Sequence, residues 1–253
     1  MKFKDTKYGD LTGKTYNSKI DVCGLGLTSL EGAPKIVNGH FDCFDNQLTS
    51  LEGAPKIVNG FFNCCNNQLA SLKGAPKEVY GYFGCSDNYL TTLKGSPKEV
   101  FGYFECFNNQ LKSLEGSPEK IKGDFKCSDN QLTTLKGSPK EISEHFDCSN
   151  NKLISLKGSP EVVGGYFDCS NNKLKSLEGA PKEVHGSFNC SNNQLISLEG
   201  IPKELHRYFD CSNNKIKKDS LRYINLRYDR INTDFSESEL IDYFDEYFPE
   251  RLI

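Results

Sequence analysis

Nine of the eleven cysteines in this 253-residue chain, Cys43, Cys64, Cys85, Cys106, Cys127, Cys148, Cys169, Cys190 and Cys211, recur every 21 residues, and they are the first candidates for chemistry. A thiolate is a nucleophile and a soft metal ligand. Either use needs a partner at short range, and the chain contains no CxxC pair. If 21 residues make one coil of a stacked array, equivalent cysteines lie about 4.8 Å apart on neighbouring strands. That exceeds the roughly 3.8 Å between Cβ atoms of a usual disulfide. The spacing favours a ladder of reduced thiols acting as small buried hydrophobes, ahead of disulfides or a metal or cluster role. His185 and His206 share a repeat position and would stand about 5 Å apart, with Asp168 or Asp210 in reach. A metal or acid–base centre needs several converging groups, so surface histidines are the preferred reading. Serines at Ser50, Ser71, Ser113, Ser155, Ser176 and Ser197 form a periodic column, and the periodic glycines follow the repeat, not a phosphate loop. These residues point to no enzyme and no cofactor.

The elements that must position them follow from the same period. Nine of the ten prolines occupy one repeat position, from Pro34 to Pro202, while asparagine runs in step from Asn46 to Asn214 and phenylalanine from Phe41 to Phe209. One repeat reads Val58, Gly60, Phe62, Cys64, Asn67, Leu69, Leu72, Gly74, Pro76. Alternation from the valine to the cysteine predicts a strand with one buried face, ending at the asparagine, where the chain turns. A side-chain amide at that corner can satisfy backbone groups of its own and the next coil. Gly-Ala-Pro or Gly-Ser-Pro supplies a second corner. One such coil cannot bury its apolar positions, whereas stacked coils turn each of them into an internal ladder. The first coil has Leu25 at the asparagine position, as expected of an atypical terminal repeat under an N-terminal segment.

The pattern resembles the leucine-rich-repeat family, whose hallmark is LxxLxLxxNxLxxL. Phe62-x-Cys64-x-x-Asn67-x-Leu69-x-x-Leu72 matches the LxLxxNxLxxL portion, and the match recurs to Cys211, Asn214 and Ile216. It departs upstream, where Val58 stands four before Phe62 with Gly60 between them. The short length and the Leu-x-Gly-Ala-Pro corner are similar to the short repeats encoded by bacteria, phages and large DNA viruses. The resemblance implies a solenoid of stacked parallel β-strands, outer arcs that are extended or 3-10 instead of α-helical, and a protein-binding role. Some short-repeat relatives carry a separate effector domain, and the unbroken register predicts none within these 253 residues. The expected organisation is an N-terminal cap over 1–19, a solenoid of about ten coils over 20–218, roughly 45 Å long, and a C-terminal cap over 219–253. Leu221 to Leu226 would add a strand or an irregular coil. Ser236-Glu237-Ser238-Glu239 reads as a capping box; it opens a helix over about 237–248 with Leu240, Ile241, Phe244, Tyr247 and Phe248 on one stripe, stopped by Pro249.

With Phe and Cys inward, the residues between them face outward. Phe61, Tyr80, Tyr82, Phe101 and Tyr103 then cluster on adjacent strands, extended by Phe44 and Phe107. Such a patch is either an interface or cross-strand support. Glu105, Asp147, Asp168 and Asp210 add an acidic column that suits a basic ligand. The net charge of −3, with no basic stripe, disfavours nucleic acid. The N-terminus shows no secretory pattern and no run is long enough to span a membrane; an odd cysteine count in ladder spacing favours a reducing compartment, the cytoplasm of a cell or an infected host. The expected function is non-enzymatic binding of an as yet undefined protein partner through the exposed β-sheet face. A structural or self-assembling protein of a virion or bacterial surface is the alternative, a carbohydrate-binding protein a weaker one, and the oligomeric state is open.

Overall fold

The computed structural model describes residues 1–224 and 230–247. Each coil contributes two dipeptide strands, as in Glu78–Val79 and Phe83–Gly84. Stacking them gives two sets of parallel ladders. The phenylalanine ladder runs unbroken from Ile20–Asp21 through Phe209–Asp210 to Ile231–Asn232. The valine ladder begins with Thr15–Tyr16, paired with Ile36–Val37, so residues of the N-terminal segment provide its first rung. The arcs between ladders are turns and bends, and the fold is a β-solenoid of parallel strands in 21-residue repeats with a short C-terminal helical cap.

Alternation had predicted one strand from Val58 to Cys64, and here the structure corrects the reading. Val58 and Phe62 are both fully buried, but the chain bends at Asn59 and Gly60 between them. The bend presses each coil onto the one before: a Cβ added at Gly81 would lie 2.9 Å from the Gly60 carbonyl carbon. Glycine holds this position at 39, 60, 81, 102, 123, 165 and 186, and Glu144 is the exception in mid-array. The valine ladder is interrupted at that step, between Lys120–Ile121 and Glu141–Ile142, as expected where a side chain must fit between two backbones.

The core is a set of stacked columns. Phenylalanine rings follow one another at 5.4–5.9 Å from Phe41 to Phe209, and Phe3 closes the N-terminal end 6.0 Å from Phe41. Leu221, Ile224, Leu240 and Phe244 are buried at the other end. The asparagine column holds the corner. Asn67 donates through Nδ2 to the carbonyls of Cys64 and Cys65 in its own coil and of Cys43 in the preceding one, and its Oδ1 accepts the Leu48 N–H, also of the preceding coil. The expectation of bonds to the next coil therefore has the direction reversed. The residue before each asparagine, Asp45, Asn66 and their equivalents to Asn213, is left-handed at φ 52–55°. Asn and Asp tolerate that region better than other non-glycine residues. In the first coil, which lacks the asparagine, Gly24 at φ 63° takes this place.

At the C-terminus, Lys218–Tyr223 is a 3-10 helix, so Leu221–Tyr223 is not a strand, and an added strand stands at Ile231–Asn232; Asn225 and Leu226 lie outside the described residues. The capping box is reciprocal: Ser236 N–H donates to Glu239 Oε2 at 2.8 Å and Glu239 N–H to Ser236 Oγ at 3.3 Å. The helix is Glu237–Tyr247. Leu240 and Phe244 face the core while Ile241 and Tyr247 are exposed; Phe248 and Pro249 lie outside the described residues. No helix among those described is long and apolar enough to cross a membrane.

Candidate protein-binding face

The outward columns are positioned by the ladder register, which sets each residue beside its equivalent 21 residues away. Tyr80 and Phe101 follow paired strands, Glu78–Val79 and Glu99–Val100, and their rings stack face to face with centroids 5.0 Å apart. Lys122, next in the column, places its ammonium 4.7 Å from the Phe101 ring centre, a cation–π contact. The Tyr80 hydroxyl donates to Glu78 Oε2 at 3.1 Å. Tyr80 remains 48% and Phe101 37% exposed. Beside them an open groove of about 610 Å³ runs between this column and the proline corner, lined by Pro76, Glu78, Tyr80, Ser96, Glu99 and Phe101 among others.

A second column lies nearer the phenylalanine ladder. His40 stacks on Phe61 at 4.2 Å, and Phe61 meets Tyr82 edge to face at 6.5 Å. Tyr82 is half-buried: its hydroxyl lies 3.5 Å from Cys65 Sγ, over Gly84, the one outward position in its column with no side chain. Burial raises the pKa of that hydroxyl well above the usual tyrosine value. Tyr103 extends this column and is 49% exposed. Among the described residues no ring pair joins the two columns. Phe44 is exposed and Phe107 half-buried; three rungs, about 14 Å, separate them. The single aromatic cluster read from the sequence is thus two stacks, with Phe44 and Phe107 apart from each other.

The second column also has a backbone duty elsewhere. His40 Nδ1 accepts the Phe61 N–H at 3.1 Å, Asp124 Oδ1 the His145 N–H at 3.2 Å, His145 Nδ1 the Tyr166 N–H at 2.9 Å, and Ser187 Oγ the Tyr208 N–H at 3.4 Å. Phe61, Tyr82 and Tyr103 put ring surface where those coils put an acceptor.

The acidic column is largely engaged in holding the fold. Glu105 pairs with Lys126 at 2.9 Å. Asp147 Oδ1 accepts from the Ser149 N–H at 3.0 Å and from its Oγ at 2.6 Å. Asp168 accepts from the Ser170 N–H at 2.8 Å and from Asn189 Nδ2 at 3.1 Å, and burial raises its carboxyl pKa. The two aspartates close turns just after the strand, a use that the Asp-x-Ser spacing could have signalled. Lys122 and Lys126 were missed as partners, although each stands in the same column as the residue it contacts.

The cysteine ladder points inward. Cys43 Sγ donates to the Asn63 carbonyl at 3.1 Å and Cys64 Sγ to that of Gly84 at 3.1 Å, each in the following coil. Burial pushes these thiols well above their usual pKa; Cys211, nearer the end, is pushed up to about 12. Ten of the eleven cysteines are buried and Cys23 is half-exposed. With a thiol reagent at pH 8, the native chain should release at most one equivalent quickly and the other ten only in denaturant; rapid release of several would place the ladder outside the core.

No protein-family model matches the sequence, and no curated protein matches it significantly. Among the solved structures to which the chain is similar are three leucine-rich-repeat proteins. YopM, a leucine-rich effector protein from Yersinia pestis, is 24% identical over 78% of this chain and 60% of its own, with a TM-score of 0.48. YopM from Yersinia enterocolitica is 19% identical over 79% and 61%, with a TM-score of 0.38. A leucine-rich-repeat protein of Leptospira interrogans is 13% identical over 85% and 95%, with a TM-score of 0.28. The chain spans about three fifths of the length of the two YopM chains.

Proposed function

We propose that this leucine-rich-repeat solenoid is a non-enzymatic recognition module that holds a protein partner against the aromatic columns of its outward face. The observation that carries this reading is the exposed Tyr80–Phe101 stack beside its groove. The same column holds polar side chains in other coils, at Asn38, Asn59, Ser143, His185 and His206. Cross-strand packing alone would not require the change, since those coils stack with the same inward residues. Large rigid rings give contact area at low entropic cost, which is why aromatics anchor interfaces. Phe61, Tyr82 and Tyr103 add to the argument, because in their coils an acceptor for the neighbouring N–H has been replaced by an apolar surface. The partner's anchor would be an apolar or aromatic side chain seated between Tyr80, Phe101 and the proline corner. Eleven cysteines kept as thiols suit a reducing compartment, and we place the encounter in the cytoplasm.

Tyr82 is a poor test residue because its ring fills the space over Gly84. Capture from a lysate of the source cell or its host should instead compare the unaltered chain with Tyr80→Ala/Phe101→Ala and with Ile154→Ala/Ile196→Ala, which removes two exposed isoleucines in the arcs between the inward leucines of other coils. The partner should be retained by the first and third, and reduced at least about tenfold by the second, with unchanged circular dichroism. Equal retention by all three would remove the groove as the site. A chain that recovers only itself, and grows in mass with concentration by light scattering, would favour self-assembly.

A further inference from the structure

The column that carries Tyr80 and Phe101 in the middle of the array ends in two histidines. His185 and His206 follow the paired strands Glu183–Val184 and Glu204–Leu205, whose register sets Glu183 opposite Glu204. The imidazoles meet edge to face with centroids 5.6 Å apart. Residues two apart on an extended chain share a face, so the two glutamates stand with the histidines. His185 Nε2 is 3.5 Å from Glu183 Oε2, and His206 Nε2 is 3.9 Å from Glu204 Oε2. One ligand atom each from His185, Glu204 and His206 lies within 4.8 Å of the others, and all three side chains are exposed.

We propose that His185, Glu204 and His206 bind a divalent transition-metal ion. Two imidazole nitrogens and a carboxylate select the class of Zn²⁺, Ni²⁺ and Cu²⁺, whereas Ca²⁺ and Mg²⁺ take all-oxygen sets. Ligands about 2.0–2.1 Å from a tetrahedral ion stand about 3.4 Å from one another. Side chains exposed among the described residues, on adjacent rungs, close the remaining distance by rotation. The charge balance is favourable: Glu183 and Glu204 together offset the ion. Lys182 leaves Glu183 available, since its ammonium is held by Glu161 at 2.7 Å. Arg230 donates to the His206 carbonyl at 3.4 Å and so engages the backbone there. Three protein ligands leave a coordination position for water or for a side chain of another molecule. Glu204–Leu205 is the last strand of the valine ladder among the described residues, so an ion shared by His185 and His206 would pin that ladder's final rung and stabilise the array as ligand concentration rises.

The test is titration of the tag-free, metal-stripped chain with ZnCl₂ by calorimetry and with CoCl₂ by visible absorption. One equivalent should bind, with a Co²⁺ spectrum of nitrogen and oxygen ligands and a thermal midpoint that rises with Zn²⁺. His185→Ala/His206→Ala should abolish binding and the midpoint shift while leaving circular dichroism unchanged, and Glu204→Gln should weaken binding at least about tenfold. No saturable binding by the unaltered chain, equal binding by the double histidine variant, or a thiolate-to-cobalt band assigning the metal to cysteines would each overturn the proposal.

Discussion

Asn109→Ala is expected to lower folding stability by about 3 kcal/mol or more, seen as a fall in the urea midpoint at unchanged slope. The Asn109 amide serves four backbone groups: Nδ2 donates to the carbonyls of Cys85, Cys106 and Phe107 at 3.1–3.2 Å, and Oδ1 accepts the Leu90 N–H at 2.9 Å. Alanine leaves that N–H buried without an acceptor, which alone costs about 1–3 kcal/mol. It also strips three carbonyls at once, and the corner is too tightly stacked to admit water freely. Because an interior coil supports both its neighbours, the loss propagates along the array. Asn108→Gly, one residue away, is the contrast. Asn108 is exposed and sits at φ 52°, which glycine adopts without strain, and its side chain donates to the half-buried Asp87 carboxylate at 2.6 Å. Stability should change by about 0.5 kcal/mol or less. Equal losses from the two substitutions would refute the corner account.

That pair also marks where the sequence could be read and where it could not. The inward columns were legible because burial follows residue type: Val58, Phe62, Cys64, Leu69 and Leu72 are all fully buried, as their periodicity implies. The split of the strand was not, since alternation places Val58 and Phe62 on the same side whether the chain between them is straight or bent. The recurring glycine at position 60 was the available signal, and its close approach to the previous coil gives the reason. The left-handed residue before each asparagine was equally visible as an unbroken run of Asp or Asn from Asp45 to Asn213. At the surface, the aromatic residues could be named but not grouped. Whether Tyr80 stacks on Phe101 or on Tyr82 depends on the bend at Tyr80–Gly81, and the burial of Tyr82 depends on the absence of a side chain at Gly84, two residues later. The strand at Ile231–Asn232 lay beyond reach for another reason: it pairs after a step of 22 residues, outside the period that located every other rung.

Gly95→Ala is expected to disturb stability and partner capture together. Gly95 lines the groove with Tyr80 and Phe101 and forms the corner before the proline at φ 100°. An L-residue is strained there, at a cost of about 1–3 kcal/mol. The new methyl would also lie 2.6 Å from the Leu72 carbonyl oxygen and 2.8 Å from its carbon. Both are backbone atoms of the preceding coil, so no side-chain rotation relieves the contact and the two coils must separate. Strain and separation together should destabilise the chain by about 3 kcal/mol. The separation opens the solenoid along the wall of the groove, and the Tyr80–Phe101 stacking distance of 5.0 Å depends on that spacing. Gly179→Ala makes the same change in a distant coil, at φ 86° and with a Cβ 2.6 Å from the Lys157 nitrogen. It should cost similar stability and leave capture intact below its unfolding transition. If both variants lose the partner equally while still folded, recognition depends on the whole curvature of the array and not on the groove between Tyr80 and Phe101.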